Sequence, residues 1–176
     1  MATSKCPSGI GYSFTSDQKA QLGETVEVML STGQRFVATY AQITTQATTA
    51  ATDIVAWINS TGFASGTVTA DTTANQFAIA GLPMTGATAV ATANYYGWVQ
   101  TWGGYILGPN GTQVLGNQLL GDGSVAAGES MMASASTDGM VDTWATTVGY
   151  FIGTALEADA PAITKYILNC FGGRFC

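Results

Sequence analysis

Turn-forming residues interrupt this chain every 8–12 positions through much of its length, and that spacing constrains the fold more than any other feature. "ETVEVMLSTGQRFVATYAQI" reads as two strands, Thr25–Leu30 and Arg35–Ile43, joined at Ser31-Thr32-Gly33-Gln34. "DIVAWIN" is β-branched and aromatic, which favours a strand over Asp53–Asn59 against a helix over Thr48–Ile58. Short runs follow at Thr67–Ala70, Gln76–Ala80 and Ala87–Ala91, with Gly81-Leu82-Pro83 as punctuation. The second half repeats the pattern at Trp98–Tyr105, Gln113–Leu115, near Val125, after the turn at Asp138-Gly139, in "TTVGYFIGTAL" and in "KYILNCF". Many short strands with regular turn signals predict an all-β fold, a small β-sandwich or barrel-like domain.

Residues 1–22 differ from the rest. "SKCPSGIGYSFTSDQKAQLG" has isolated aromatics and turn formers but no sustained period, so it reads as an extended N-terminal arm, with a short helical turn at Ser16–Gln21. The expected organisation is an arm over 1–22, an N-terminal β region over 23–86 and a C-terminal β-domain over 87–176.

Charge is scarce at 9% of residues, against about 25% in typical soluble domains. Five basic against 11 acidic residues leave a net charge of -6, which cannot neutralise a row of phosphates. Nucleic acid is therefore not an expected partner, and an anionic membrane surface is disfavoured on the same ground. The start "MATSKCPSGIGYSF" lacks the apolar core of a signal peptide, and no run of about 20 apolar residues is present to span a bilayer. A surface made of hydroxyls, amides and small apolar groups suits a protein packed against neighbours.

Catalytic arrangements find little to work with. The chain has no His, which removes Ser-His-Asp and Cys-His chemistry and weakens any zinc site. Glu24 with Glu27, Asp138 with Asp142, and Glu157 with Asp159 are the carboxylate pairs available to a glycosidase, but all sit in or beside turns, where acids commonly serve solubility. "GDGSVAAGES" and "STDGMVD" lack the ligand spacing of a calcium loop, and "GGYILGPNG" lacks the Lys of a phosphate loop. No enzyme, metal or cofactor is expected. Cys6, Cys170 and Cys176 are read as reduced thiols by default, with a bridge from Cys6 to either C-terminal cysteine, or between subunits, left open.

"YYGWVQTWGGY" at 95–105 concentrates five aromatic rings. Strand alternation puts Tyr96, Trp98, Gln100 and Trp102 on one face. Exposed, those rings would make a stacking platform for a sugar or an unstacked base; buried, they would be a heavy layer of the core or of a subunit interface. The flanking glycines favour burial.

The same stretch opens a pattern that continues through "GNQLLGDGSVAAGESMMASASTDGMVDT" and "ATTVGYFIGTALEA" to "YILNCF". Gly97–Gln100, Gly128–Ser134, Gly139–Val141 and Val148–Leu156, in that order across residues 87–171, resemble the small β-domain of tailed-phage capsid decoration (cement) proteins. That resemblance implies a virion protein on the outer surface of the capsid, made in the bacterial host cytoplasm. Its implied partners are the major capsid protein and itself, as a homo-oligomer for which a trimer is expected. Cys6, Pro7, Ile10, Tyr12 and Phe14 become candidate capsid-docking residues of the arm, and Tyr96, Trp98 and Trp102 candidate core or subunit-interface aromatics. A carbohydrate- or receptor-binding β-domain, as in a fibre or spike, is the alternative.

Overall fold

Val26 and Val28 alternate with Thr25, Glu27 and Met29, and this period of two buries one face of a strand. In the computed structural model that strand, β1 (Thr25–Met29), pairs antiparallel with β2 (Arg35–Ile43), placing Thr25 opposite Thr39 and Met29 opposite Arg35. The structure describes residues 16–29, 33–43, 54–58, 66–75, 79–84, 95–105, 119–121, 123–144, 151–159 and 162–170. The expected strands at Ala87–Ala91 and Gln113–Leu115 lie outside them, as do Cys6 and Cys176.

Five strands close on themselves. From β2 the order runs to β4 (Thr67–Thr69), β3 (Val55–Trp57), β5 (Ile79–Pro83) and β6 (Tyr95–Gly104), and β6 returns to β2. Only the β2–β4 contact among these is parallel. A closed barrel this small has little lumen, because diameter grows with strand number. Its interior is accordingly filled by Ala41, Ile43, Val55, Val68, Ala80 and Val99, with Trp57 and the partly buried Tyr95 as the large members. The all-β, barrel-like class expected from the turn spacing is what the chain adopts.

The barrel is extended on both sides. β1 lies outside β2, and β12 (Tyr166–Asn169), β10 (Gly153–Ala155), β8 (Ser130–Ala133) and β9 (Val141–Thr143) follow in that order from β6. A separate pair, β7 (Leu119–Leu120) with β11 (Ala162–Ile163), and one helical turn, α1 (Thr72–Asn75), complete the described elements. A second core, including Ile54, Leu82, Met131, Ile152, Tyr166 and Leu168, fills the space between the barrel wall and this extension. Cys170 belongs to it as a free thiol; its Sγ donates to the Ile152 carbonyl at 3.4 Å, and burial pushes it up to about 12.

Two expectations move. Gly81-Leu82-Pro83 is strand, not punctuation, and Val125 is a buried loop residue, with the strand displaced to Ser130–Ala133. Gly81 explains the first. Its φ is +144°, and a Cβ there would sit 1.9 Å from the Gln100 carbonyl oxygen, so the glycine is needed for β5 to reach β6. Gly81→Ala should therefore lower stability by more than about 3 kcal/mol, combining backbone strain with steric displacement. Gly33→Ala, at φ +82° with nothing within 4 Å of the added carbon, should cost only about 1 kcal/mol. Urea unfolding of the two variants checks the difference.

Candidate functional site

The aromatic stretch forms β6, and both of its edges are hydrogen-bonded. β2 runs along one edge from Tyr95 to Gly103. The other edge is shared: β5 takes Val99 and Gln100, and β12 takes Trp102, Gly103 and Gly104. The change of partner coincides with a β-bulge. Val37 lies opposite Trp102 and Ala38 opposite Gln100, leaving Thr101 as the extra residue. Its carbonyl accepts from the Cys170 amide at 2.9 Å, and its hydroxyl donates to the Val37 carbonyl at 3.3 Å. Gln100 is fully buried, and its Nε2 donates to the Gly104 carbonyl at 2.9 Å and the Gly103 carbonyl at 3.3 Å, fastening the bent strand to itself.

One extra residue inverts the alternation beyond it. Trp98 and Tyr96 face one side, within the cluster of Val26, Val28, Phe36, Tyr40 and Met84. Trp98 is 7% exposed and meets Tyr40 edge-on, with ring centroids 5.1 Å apart at 66°. Trp102, past the bulge, shares a face with Val37 instead and is half-buried. The expectation that Tyr96, Trp98 and Trp102 share one face is thus corrected by the bulge at Thr101. They form no common platform.

The arm's described end is part of the body. Ala20 and Leu22 pack on the Trp98 cluster, and the Lys19 amide donates to the Tyr40 hydroxyl at 2.9 Å. Residues 16–21 form bends rather than the expected helical turn. Cys6, Pro7, Ile10, Tyr12 and Phe14 lie outside the described residues.

The face on which Trp102 lies is the open side of the extended sheet. Register places Met29 opposite Arg35, Trp102 opposite Asn169, Gly104 opposite Ile167, Ile167 opposite Thr154 and Thr154 opposite Ser130. Ser130 in turn accepts from the Trp144 amide at 2.8 Å. The reverse side of the same strands carries Val28, Phe36, Leu168, Ala155, Met131 and Val141, all buried. Alternation then puts Met29, Ile167, Leu156 and Trp144, exposed by 65%, 47%, 44% and 41%, on the open side. They are four of the five large apolar side chains exposed among the described residues, Phe151 being the other. This concentration was invisible in the sequence, because its members are spread from residue 29 to residue 167.

The candidate carboxylates have structural partners. Glu24 accepts from the Gln21 amide at 3.3 Å, and Glu27 pairs with Arg35. Asp138 receives the Thr73 amide and hydroxyl at the start of α1, and Asp142 the Ser124 hydroxyl at 2.5 Å. Asp159 receives the Gly123 amide at 2.8 Å. Glu157 anchors the β11–β12 turn. Hydrogen bonds from the Thr164 hydroxyl and from the Thr164 and Lys165 amides hold its carboxyl below the ordinary value, so it is ionised at neutral pH and unsuited to donating a proton. Among the described residues no group of three or more His, Cys, Asp or Glu side chains is placed to hold a metal ion.

No family model matches the chain, and no curated protein and no solved structure is similar to it. The geometry itself makes a prediction. Trp98→Ala should cost about 3–5 kcal/mol, as for a buried aromatic truncation, and Trp102→Ala no more than about 2 kcal/mol. Equal losses in chemical denaturation would contradict the inverted alternation.

Proposed function

We propose that the chain is a virion structural protein, a capsid decoration protein that binds the outer surface of a phage head at subunit junctions and stabilises it. The observation that carries this reading is the open sheet face, where a protein with very few charges gathers four of the five large apolar side chains exposed among its described residues. Exposed apolar patches of this kind mark protein or membrane contact sites or ligand grooves, and the scarcity of basic residues disfavours an anionic membrane. The pattern from Gly97 to Leu156 that resembles cement proteins supports the same reading. So does the division of labour it suggests: a β-body for self-association, and an arm for the major capsid protein.

A cement protein binds the assembled shell and not its separated subunits, so it raises shell stability by mass action. Extended arms suit that task, because an added strand satisfies its backbone on a neighbour's sheet edge. Of the arm expected over residues 1–22, Lys19, Ala20 and Leu22 already pack on the body, so we propose residues 1–15 as the docking segment.

The chain should co-sediment with expanded heads of the phage that encodes it. Deleting residues 1–15 should abolish co-sedimentation while leaving cooperative unfolding of the body intact. Full binding by the truncated chain would contradict the arm's role. Absence of binding by the full chain, with saccharide-dependent tryptophan fluorescence in its place, would favour the carbohydrate-binding alternative.

A further inference from the structure

Asp138 and Gly139 form the turn between β8 and β9, and an Asp-Gly pair is chemically reactive in an unconstrained chain. The Gly139 amide nitrogen attacks the Asp138 Cγ, and a C–N bond forms as a C–O bond of the carboxyl group breaks. The departing oxygen leaves as water, with the amide proton and the acid proton. A second water then opens the succinimide ring at either carbonyl, giving back aspartate or giving isoaspartate, whose backbone runs through the former side chain. Glycine suits this closure because it has no Cβ to hinder close approach of its backbone.

Both reacting groups are held here by successive residues of α1. The Gly139 amide donates to the Thr72 hydroxyl at 2.8 Å, and both residues are buried. One oxygen of the Asp138 carboxylate accepts from the Thr73 amide at 3.0 Å and from the Thr73 hydroxyl at 2.8 Å. Ring closure must release these contacts, because it turns the carboxyl group away from Thr73 and takes the proton from the amide. The peptide is bound on its far side too, where the Gly139 carbonyl accepts from the Ile54 amide at 2.9 Å. Around it the turn is closed by the Ser134 amide, which donates to the Met140 carbonyl at 2.9 Å. The buried Ser134 hydroxyl accepts from the Ser136 and Thr137 amides at 3.3 and 3.2 Å.

The contact also joins distant parts of the chain. α1 lies between the barrel strands β4 and β5 and Ile54 precedes β3, whereas Asp138-Gly139 belongs to the extension. Isoaspartate at position 138 adds one carbon to the backbone and would displace the Gly139 carbonyl from Ile54.

We propose that Asp138-Gly139 is a gated site of aspartate isomerisation, closed while Thr72 and Thr73 hold the turn and opened when α1 lifts from it. The reaction then proceeds through local opening, at the unconstrained rate multiplied by the open fraction. Thr72 and Thr73 act as the gate and take no part in the bond changes. The site is independent of the virion reading and stands or falls without it.

The test incubates the full chain at neutral pH and physiological temperature, with peptide mapping that separates isoaspartate from aspartate at position 138. Isoaspartate should accumulate slower by about tenfold or more in the folded chain than in the same chain unfolded in urea. Thr72→Ala leaves the buried Gly139 amide without its acceptor and should raise the folded-state rate about tenfold. Thr73→Ala removes the hydroxyl from Asp138 and should raise it less, since the amide contact remains. Gly33→Ala, a mild change away from the turn, should leave it unchanged. Isomerisation as fast in the folded chain as in the unfolded one would overturn the proposal. So would a rate unmoved by both threonine variants, or a rise with Gly33→Ala equal to that with Thr72→Ala, which would mean reaction through global unfolding.

Discussion

The ladder along both edges of β6 is the constraint on which the rest of the structure depends. On one side it closes the barrel against β2; on the other it gives up β5 for β12 within a few residues. Without that exchange the barrel and the extension would share no strand. The bulge at Thr101 permits it, since an extra residue bends the strand and turns its carbonyl toward Cys170 beside β12. Glycine provides the close fit. A Cβ on Gly103, at φ +108°, would lie 2.6 Å from the Arg35 carbonyl oxygen and 2.8 Å from the Phe36 Cα.

Consequences for packing follow from the inversion of faces. Before the bulge, the even-numbered residues of β6 build the layer around Tyr40 and Trp98, and Val99 fills the barrel. After it, Gly103 backs onto Phe36 and Leu168, and Trp102 turns to the open side. A single strand thus contributes to the lumen, to an outer layer and to the candidate interface. The buried Gln100 stands at the junction, where its amide hydrogen bonds to two carbonyls of its own strand do work that an apolar side chain could not.

Much of the fold was legible from local chemistry. Alternation in "TVEVM" and "RFVATYAQI" located β1 and β2, and the β-branched run at residues 54–58 decided correctly for strand over helix. What failed depended on contacts distant in sequence. "SMMA" carries no β-branched residue, and its strand is fixed by pairing with β9 and β10. Gly81-Leu82-Pro83 has the composition of a turn, yet its strand conformation is required by the approach to Gln100. Nothing in "WVQTW" signals a bulge, so the shared face of Trp98 and Trp102 was the natural expectation and the wrong one. The open face could not be seen at all, because only the strand order brings Met29, Ile167 and Trp144 to one side.

Among the described residues the candidate carboxylates are used in turns and pairs, the aromatic layer around Trp98 is internal, and four of the five exposed large apolar side chains lie on one side of the sheet. Everything in that account rests on β6 being the strand shared by the barrel and the extension. Amide hydrogen exchange tests this directly. The amides of residues 98–103 should exchange only through global unfolding, while those of the outermost strands, β1 and β9, exchange earlier through local opening. Exchange of residues 98–103 as fast as that of β1 and β9 would contradict it.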